Sequence, residues 1–250
     1  MNRVLSAEEI LSVWEMGLAQ HPVDRALTLL GLAHVDRSRM QLAQLSIGLR
    51  DGLLATMRGE LFGAHAGLFA ECPECGAELE LELRLGDLFE RRDFAPGDQH
   101  REQPTLRRQW EDYRVEFRPP SSADLAAALQ AERPELELLH CCIQRLTRDD
   151  QPLTVSEENL PPLLRKLLEA DILDADPNAE IRLQLGCPEC DARFQENFDI
   201  AELLWSEFEG YAKALLYEIH LLARFYGWSE RDILSMSAGR RHHYLELVRA

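Results

Sequence analysis

Two copies of Cys-Pro-Glu-Cys, Cys72–Cys75 and Cys187–Cys190, restrict what this chain can fold into more than any other feature. A Cys-x-x-Cys turn brings two sulfurs to about the edge length of a tetrahedron, and its backbone amides can point at the thiolates. A closed structural zinc site takes four such ligands at Zn–S distances of about 2.3 Å. One knuckle supplies half the set, so the simplest arithmetic is one Zn2+ per chain held by Cys72, Cys75, Cys187 and Cys190. Pro73 and Pro188 fix φ at the first turn position. Gly76 allows the left-handed conformation after the second cysteine, and Asp191 stands at that place in the second knuckle, where Asp is tolerated.

The 111 residues between Cys75 and Cys187 (187 − 75 − 1) do not oppose a shared site. Loop-closure entropy grows by roughly 0.6 kcal/mol per doubling of length. A structural zinc contributes on the order of 10–16 kcal/mol. The intervening chain then becomes an insertion carried on a ribbon. A thioredoxin-like redox pair normally opens a helix, whereas both knuckles here lead into strand patterns. An iron–sulfur cluster needs the same four thiols, and spacing alone does not separate it from zinc. Cys141 and Cys142 are adjacent on an expected helix, cannot comfortably face one metal, and read as buried free thiols.

The fold class expected is α+β: mainly helical, with a small zinc-ribbon-like β module closed by the two knuckles. Ser6-x-x-Glu9 is a capping box, followed by Ile10, Leu11, Trp14 and Leu18 at helical spacing up to Pro22. Ala26, Leu29, Leu30 and Ala33 mark a second helix, and Ile47–Phe62 a third that Gly63 stops. Residues 1–68 thus form an N-terminal helical region. Residues 69–118 hold the first knuckle and its strands, with Leu79, Leu81, Leu83 and Leu85 alternating with charged residues, and Tyr113, Val115 and Phe117 doing the same. Glu90–Thr105 reads as an exposed loop.

Residues 119–178 are an inserted helical region. Ser121 or Ser122 caps a helix running to about Glu132, and further helices are expected over 135–146 and 160–170, around a turn at Asp149–Pro152. Residues 179–198 form the second knuckle hairpin, with Ile181, Leu183 and Leu185 entering and Phe194 and Phe198 leaving. Residues 199–250 are a C-terminal helical region, with Gly227 as a left-handed cap and new helices at Ser229 and Ser237. The two knuckles, each followed by a strand and an acidic Asp-bearing segment, form an internal echo. In this layout the zinc ties the end of the first helical region to the start of the last.

Charge narrows the partners. Lys plus Arg number 27 and Asp plus Glu 44, a formal net charge of −17. That balance opposes nucleic acid and anionic lipid, which demand a basic footprint. It suits a partner carrying a basic patch. No apolar h-region opens the chain and no run nears 18 apolar residues, so a cytoplasmic location without membrane insertion is expected. Arg240, Arg241, His242 and Tyr244 lie in the one concentrated basic cluster of the C-terminal fifth, either a grip on an acidic partner or a complement to carboxylates of this chain. Arg50-Asp51 reads as a buried or interface ion pair. Glu218 and His220, two apart on a helix, do not share a face and read as structural. No P-loop, Gly-x-Ser-x-Gly or dinucleotide fingerprint is present, and no enzyme is expected.

The run Leu215–Glu230, Ile233-Leu234, Arg240–Leu245, Ile47–Asp51, Leu61-Phe62-Gly63 and the paired knuckles resemble the baseplate hub assembly chaperone family of T-even-type contractile phage tails and related injection systems, in its longer, zinc-bearing members. The likeness spans most of the chain and is densest over residues 187–248. It implies a non-enzymatic role in building a baseplate or tail, with hub, tube or tape-measure proteins as partners, in the cytoplasm during assembly or retained in the finished particle. The alternative drawn from the knuckles alone is a zinc-ribbon regulatory factor that works on nucleic acid.

Overall fold

The computed structural model describes residues 6–89 and 104–249. Apart from Pro104 and Thr105, the loop expected over Glu90–Thr105 lies outside them. The chain divides into two compact units, one of residues 1–29 and 201–250 and one of residues 30–200.

The first unit is helical. Its capping box at Ser6 starts α1 (Ala7–Leu18), with the Glu9 amide donating to the Ser6 hydroxyl and the Glu9 carboxylate accepting from the Ser6 amide. Pro22 is the first residue of α2 (Pro22–Ala33), where its missing N–H costs nothing. The C-terminal part supplies α9 (Ile200–Tyr226), α10 (Glu230–Leu234) and α11 (Ala238–Arg249). Trp205 of α9 carries the Arg25 guanidinium 4.8 Å over its ring. Gly227 ends α9 at φ 70°. Tyr226 and Trp228 then stack at 4.4 Å, with Tyr244 of α11 edge-on to both.

The second unit begins within α2 and continues through a short α3 (Arg39–Ala43) and α4 (Ile47–Phe62). Its β-structure falls into three antiparallel sheets. A hairpin of β1 (His65–Glu71) and β2 (Glu78–Arg84) holds the first knuckle at its tip and runs into the one-turn α5 (Leu85–Leu88). A second hairpin, β7 (Ile181–Gly186) and β8 (Arg193–Phe198), holds the other. Between them lies a four-stranded sheet in the order β3 (Leu106–Trp110), β4 (Tyr113–Phe117), β5 (Ile143–Arg148), β6 (Gln151–Pro152). The helices α6 (Ser122–Ala128), α7 (Pro134–Cys142) and α8 (Pro162–Ala175) accompany that sheet. Tyr113, Val115, Phe117, Ile143 and Leu146 from the strands bury against Leu139, Leu164 and Leu168 from α7 and α8.

Several elements differ from their sequence reading. The N-terminal region is not helical to residue 68, because His65–Glu71 form β1, the partner strand that β2 requires. Leu85, read with the strand, opens α5 instead. The helix expected over 135–146 stops at Cys142, since Ile143 and Leu146 gain more by pairing with β4 and entering its core than by continuing the helix. Asp149 and Asp150 sit at φ 49° and 61°, as a two-residue hairpin turn with both central residues left-handed demands. The inserted region is therefore a sheet with helices packed on it. The two knuckle hairpins are separate two-stranded sheets, so no single ribbon is formed by backbone pairing.

The N-terminus of α4 sits in a buried polar network. Ser46 caps it through the Leu49 amide, the Ile47 amide donates to the Pro120 carbonyl at 3.0 Å, and the Gly48 amide donates to Asp176 Oδ2 at 2.8 Å. These are the donors a helix start leaves unpaired, so the rest of the chain completes the helix. Arg50 donates to Asp51 Oδ1 at 2.7 Å and to the Ser122 hydroxyl at 3.3 Å, with both members of the ion pair buried. Close by, Arg118 makes a two-pronged pair with Asp124, at 2.6 and 2.9 Å, and Asp124 completes the capping box of Ser121.

A Cβ on Gly48 would lie 2.5 Å from Asp176 Oδ1 and 2.8 Å from the Ala179 amide, whereas one on Gly59 would meet nothing within 4 Å. Gly48→Ala should therefore cost about 2–3 kcal/mol of unfolding free energy in denaturant titration, and Gly59→Ala should add about 0.5–1 kcal/mol.

Burial pushes the Asp51 carboxyl up to about 6, opposed by Arg50 and reinforced by Asp199 and Asp176. A carboxyl raised above its unfolded value holds more protons when folded, so its contribution to stability falls as pH rises from about 4 to about 6. Asp51→Asn should remove that slope. Its unfolding free energy should gain on wild type by on the order of 2 kcal/mol between those limits, as measured by denaturant melts at each pH.

Candidate metal centre

The two knuckles are built alike. In the first, the Gly76 amide donates to the Cys72 carbonyl at 2.9 Å and the Cys72 amide to the Ala77 carbonyl at 2.9 Å. In the second, Asp191 donates to Cys187 at 3.0 Å and Cys187 to Ala192 at 2.9 Å. Gly76 (φ 72°) and Asp191 (φ 57°) both take the left-handed conformation that this turn needs. The likeness extends along the strands. Glu71 faces Glu78, Phe69 faces Glu80 and Gly67 faces Glu82, just as Gly186 faces Arg193, Gln184 faces Gln195 and Arg182 faces Asn197. The sequence echo is a structural repeat of strand, knuckle and strand in one register.

The tips of the two hairpins meet. Cys72 Sγ lies 3.7 Å from Cys190 Sγ, Cys75 Sγ lies 3.6 Å from Cys187 Sγ, and all four sulfurs fall within 4.8 Å of one another. A tetrahedron of sulfurs about 2.3 Å from a central zinc has edges of roughly 3.8 Å. The separations fit one ion. They leave no room for the several irons of a cluster, which would stand between the sulfurs. Cys72 and Cys187 are buried, while Cys75 and Cys190 are exposed on the outer side. Leu79 packs with the two buried cysteines, flanked by Ala77, Ala192 and Phe194. At the far ends of the hairpins Phe89 meets Phe198 edge-on at 6.2 Å.

The protonation states of Cys72, Cys75 and Cys190 conflict when no cation is among them. Burial opposes ionisation of Cys72, but amide donors at Cys75 and Glu74 and the neighbouring thiols outweigh it and bring it down to about 7. Cys190 has an amide donor at Ala192, yet the surrounding thiols and burial push it up to about 12. Cys75, likewise helped by the Ala77 amide, is pushed up by burial and then by Cys187 and Cys72. One thiolate forms readily and then resists the others. A divalent ion removes that conflict by binding all four as thiolates. What it would supply is a crosslink: a lone two-stranded hairpin is marginal in water, and two of them clamped at their tips are not.

The other singled-out residues do not join this centre. Cys142 is buried and its thiol is pushed up to about 12 by that burial, while Cys141 is half-buried beside Glu137, so both are poor nucleophiles and ligands. Of the basic cluster, Arg241 is buried. It donates to the Met236 carbonyl at 2.8 Å and pairs with Glu218 at 3.3 Å, so it serves the packing of α11 on α9 and presents no surface to a partner. Tyr244 is half-buried in the aromatic cluster, with Arg240 lying 5.7 Å over its ring. His242 is exposed and pairs with Glu246 on its own helix. The strand β1 escaped sequence reading, as did α3, although Ser38-x-x-Gln41 is a capping box and signals the latter.

Metal analysis should return one ion per chain. Cys72→Ser and Cys187→Ser should abolish it to the same extent, with a loss of at least 10 °C in Tm that chelation of wild type reproduces, while Cys142→Ser should keep full metal content. Two ions per chain, or loss with only one of the two serines, would refute the shared site.

A protein-family comparison matches the family described as T4 bacteriophage base plate protein over residues 32–205. No curated protein and no solved structure matches the chain. The matched segment nearly coincides with the second compact unit and contains both knuckles, and it ends before the run Leu215–Glu230 that carries much of the resemblance. With more than half its length matched, the chain belongs to the T4 bacteriophage base plate protein family.

Proposed function

We propose that this protein is a non-enzymatic, zinc-binding assembly factor of a contractile phage tail or phage-like injection system, one that holds a baseplate hub, tube or tape-measure protein while the tail is built. The observation that carries the reading is that the family match encloses both knuckles and the buried network at the start of α4. Membership supports a structural or assembly role in a phage tail. The resemblance at Leu215–Leu245 is what favours the chaperone form of that role. The metal is assigned as zinc because four thiolates with one ion-sized gap make a closed tetrahedral site.

The four ligands leave no position for a catalytic water, and the reading assigns no reaction to the chain. Assembly takes place in the cytoplasm, and the protein either leaves or stays in the particle. No helix among the described residues is long and apolar enough to cross a membrane. The nucleic-acid reading of the knuckles is the weaker one, because Glu71, Glu78, Glu80 and Glu82 crowd the hairpin next to the metal and would repel phosphate.

Deletion of the gene should leave tails short or absent by electron microscopy, and wild type should restore them where Cys72→Ser/Cys187→Ser does not. Normal, full-length tails in the deletion strain would end the proposal. Mass spectrometry of purified particles then separates the two forms of the role: a chaperone is missing from them, a structural component is present in fixed copy number.

A further inference from the structure

The outward face of the β1–β2 hairpin combines three features that the fold does not need. Phe69 projects from the middle of β1 and is 79 % exposed. Around it Glu71, Glu78, Glu80 and Glu82 are all exposed, and Glu71 stands directly across from Glu78. Like charges facing each other across a strand pair are destabilising, and glutamate is a poor strand former. Beside Phe69, Gly67 leaves a notch: a Cβ there would meet nothing within 4 Å, and Glu80, Glu82 and His65 line the gap, with His65 Nδ1 3.2 Å from Glu82.

The sister hairpin shows that this face is not the cost of making a knuckle. It has the same register and the same turn, yet the places of Phe69, Glu71, Glu78, Glu80 and Glu82 are taken by Gln184, Gly186, Arg193, Gln195 and Asn197. The fold accepts an uncharged or cationic face there.

We propose that the outward face of β1–β2 is a docking surface for an extended, arginine- or lysine-bearing segment of a partner protein. A guanidinium or ammonium entering the Gly67 notch lies between the carboxylates of Glu80 and Glu82, with its stem or its charge against the Phe69 ring. A second cation two residues along reaches Glu71 and Glu78 and relieves their repulsion, because strand side chains repeat on one face every two residues. A bare divalent cation would satisfy the carboxylates but has no use for Phe69, and nucleic acid is repelled. This surface goes beyond the assembly role and, taken with it, gives the tail partner a basic strand. It is tested without any tail protein, so its failure and the failure of that role are separate results.

The probe is a fluorescein-labelled Gly-Arg-Val-Arg-Val-Gly peptide titrated against the metal-loaded full chain at about 50 mM salt, with a citrulline version as the neutral isostere. Saturable binding of the arginine peptide alone is expected. Glu80→Gln/Glu82→Gln should weaken it about tenfold or more, and Phe69→Ser severalfold. Glu8→Gln/Glu15→Gln, which removes the same charge at exposed positions of α1, should leave it unchanged. Glu78→Thr should weaken the peptide while Tm holds or rises, which separates loss of the surface from loss of the fold. No saturable binding, equal weakening by the α1 control, or undiminished binding to Phe69→Ser would overturn the proposal.

Discussion

Four sulfurs brought within 4.8 Å of one another are the constraint on which the second unit depends. Neither hairpin has more than one strand to pair with, and each buries only part of one face, so neither would hold its shape alone. Their tips meet through thiols that resist collective ionisation, as the opposed behaviour of Cys72 and Cys190 shows. The cost of gathering the four thiols is repaid only when a cation joins them. A cation there would fix the two ends of the 111 residues between the knuckles (187 − 75 − 1), with the sheet β3–β6 and α6–α8 lying between them.

The polar network at α4 works by a different principle. It is made of groups that water would otherwise satisfy, and its strength lies in having almost no spare capacity. The Gly48 amide needs Asp176, the Ile47 amide needs Pro120, and Arg50 needs both Asp51 and Ser122. These partners come from segments far apart in sequence, so the network fixes which segments meet, beyond the fact that they are buried. Asp51, Asp176 and Asp199 make that region costly in negative charge, and Arg50 offsets part of it. A buried network of this kind specifies one arrangement where an apolar contact would allow several.

What the sequence revealed and what it hid divide along the range of the forces. The meeting of the four cysteines was legible because Cys-Pro-Glu-Cys encodes its turn locally and because four is what a closed site would require. The caps at Ser6, Ser121 and Ser229 and the stop at Gly227 are equally local, and each lies where its residues indicate. The strands β1, β3 and β5 were not legible. His65–Glu71 has no clean alternation, and Ile143–Arg148 continues a helical pattern; only pairing with β2 and β4 makes them strands. Arg50-Asp51 could be named as a pair from adjacency, but its partner Ser122 could not. Arg241 read either as a grip on an acidic partner or as a complement to this chain's own carboxylates, and its pairing with Glu218, twenty-three residues away, makes it the second.

Two hairpins with one register and one turn bring their cysteines to one point, and the inward positions next to the knuckles are small or apolar in both: Ala77 and Ala192, Leu79 and Phe194. The outward positions carry no such obligation, and they have diverged to opposite character, acidic and aromatic on one hairpin, polar and cationic on the other. A fold that needed surface charge only for solubility would have no reason to place Glu71 against Glu78 or to leave Phe69 bare beside them. Convergence of the four cysteines settles the inner face of each hairpin beside the knuckles, and what remains free to vary on the outer face is the part of the module that can be addressed to a partner.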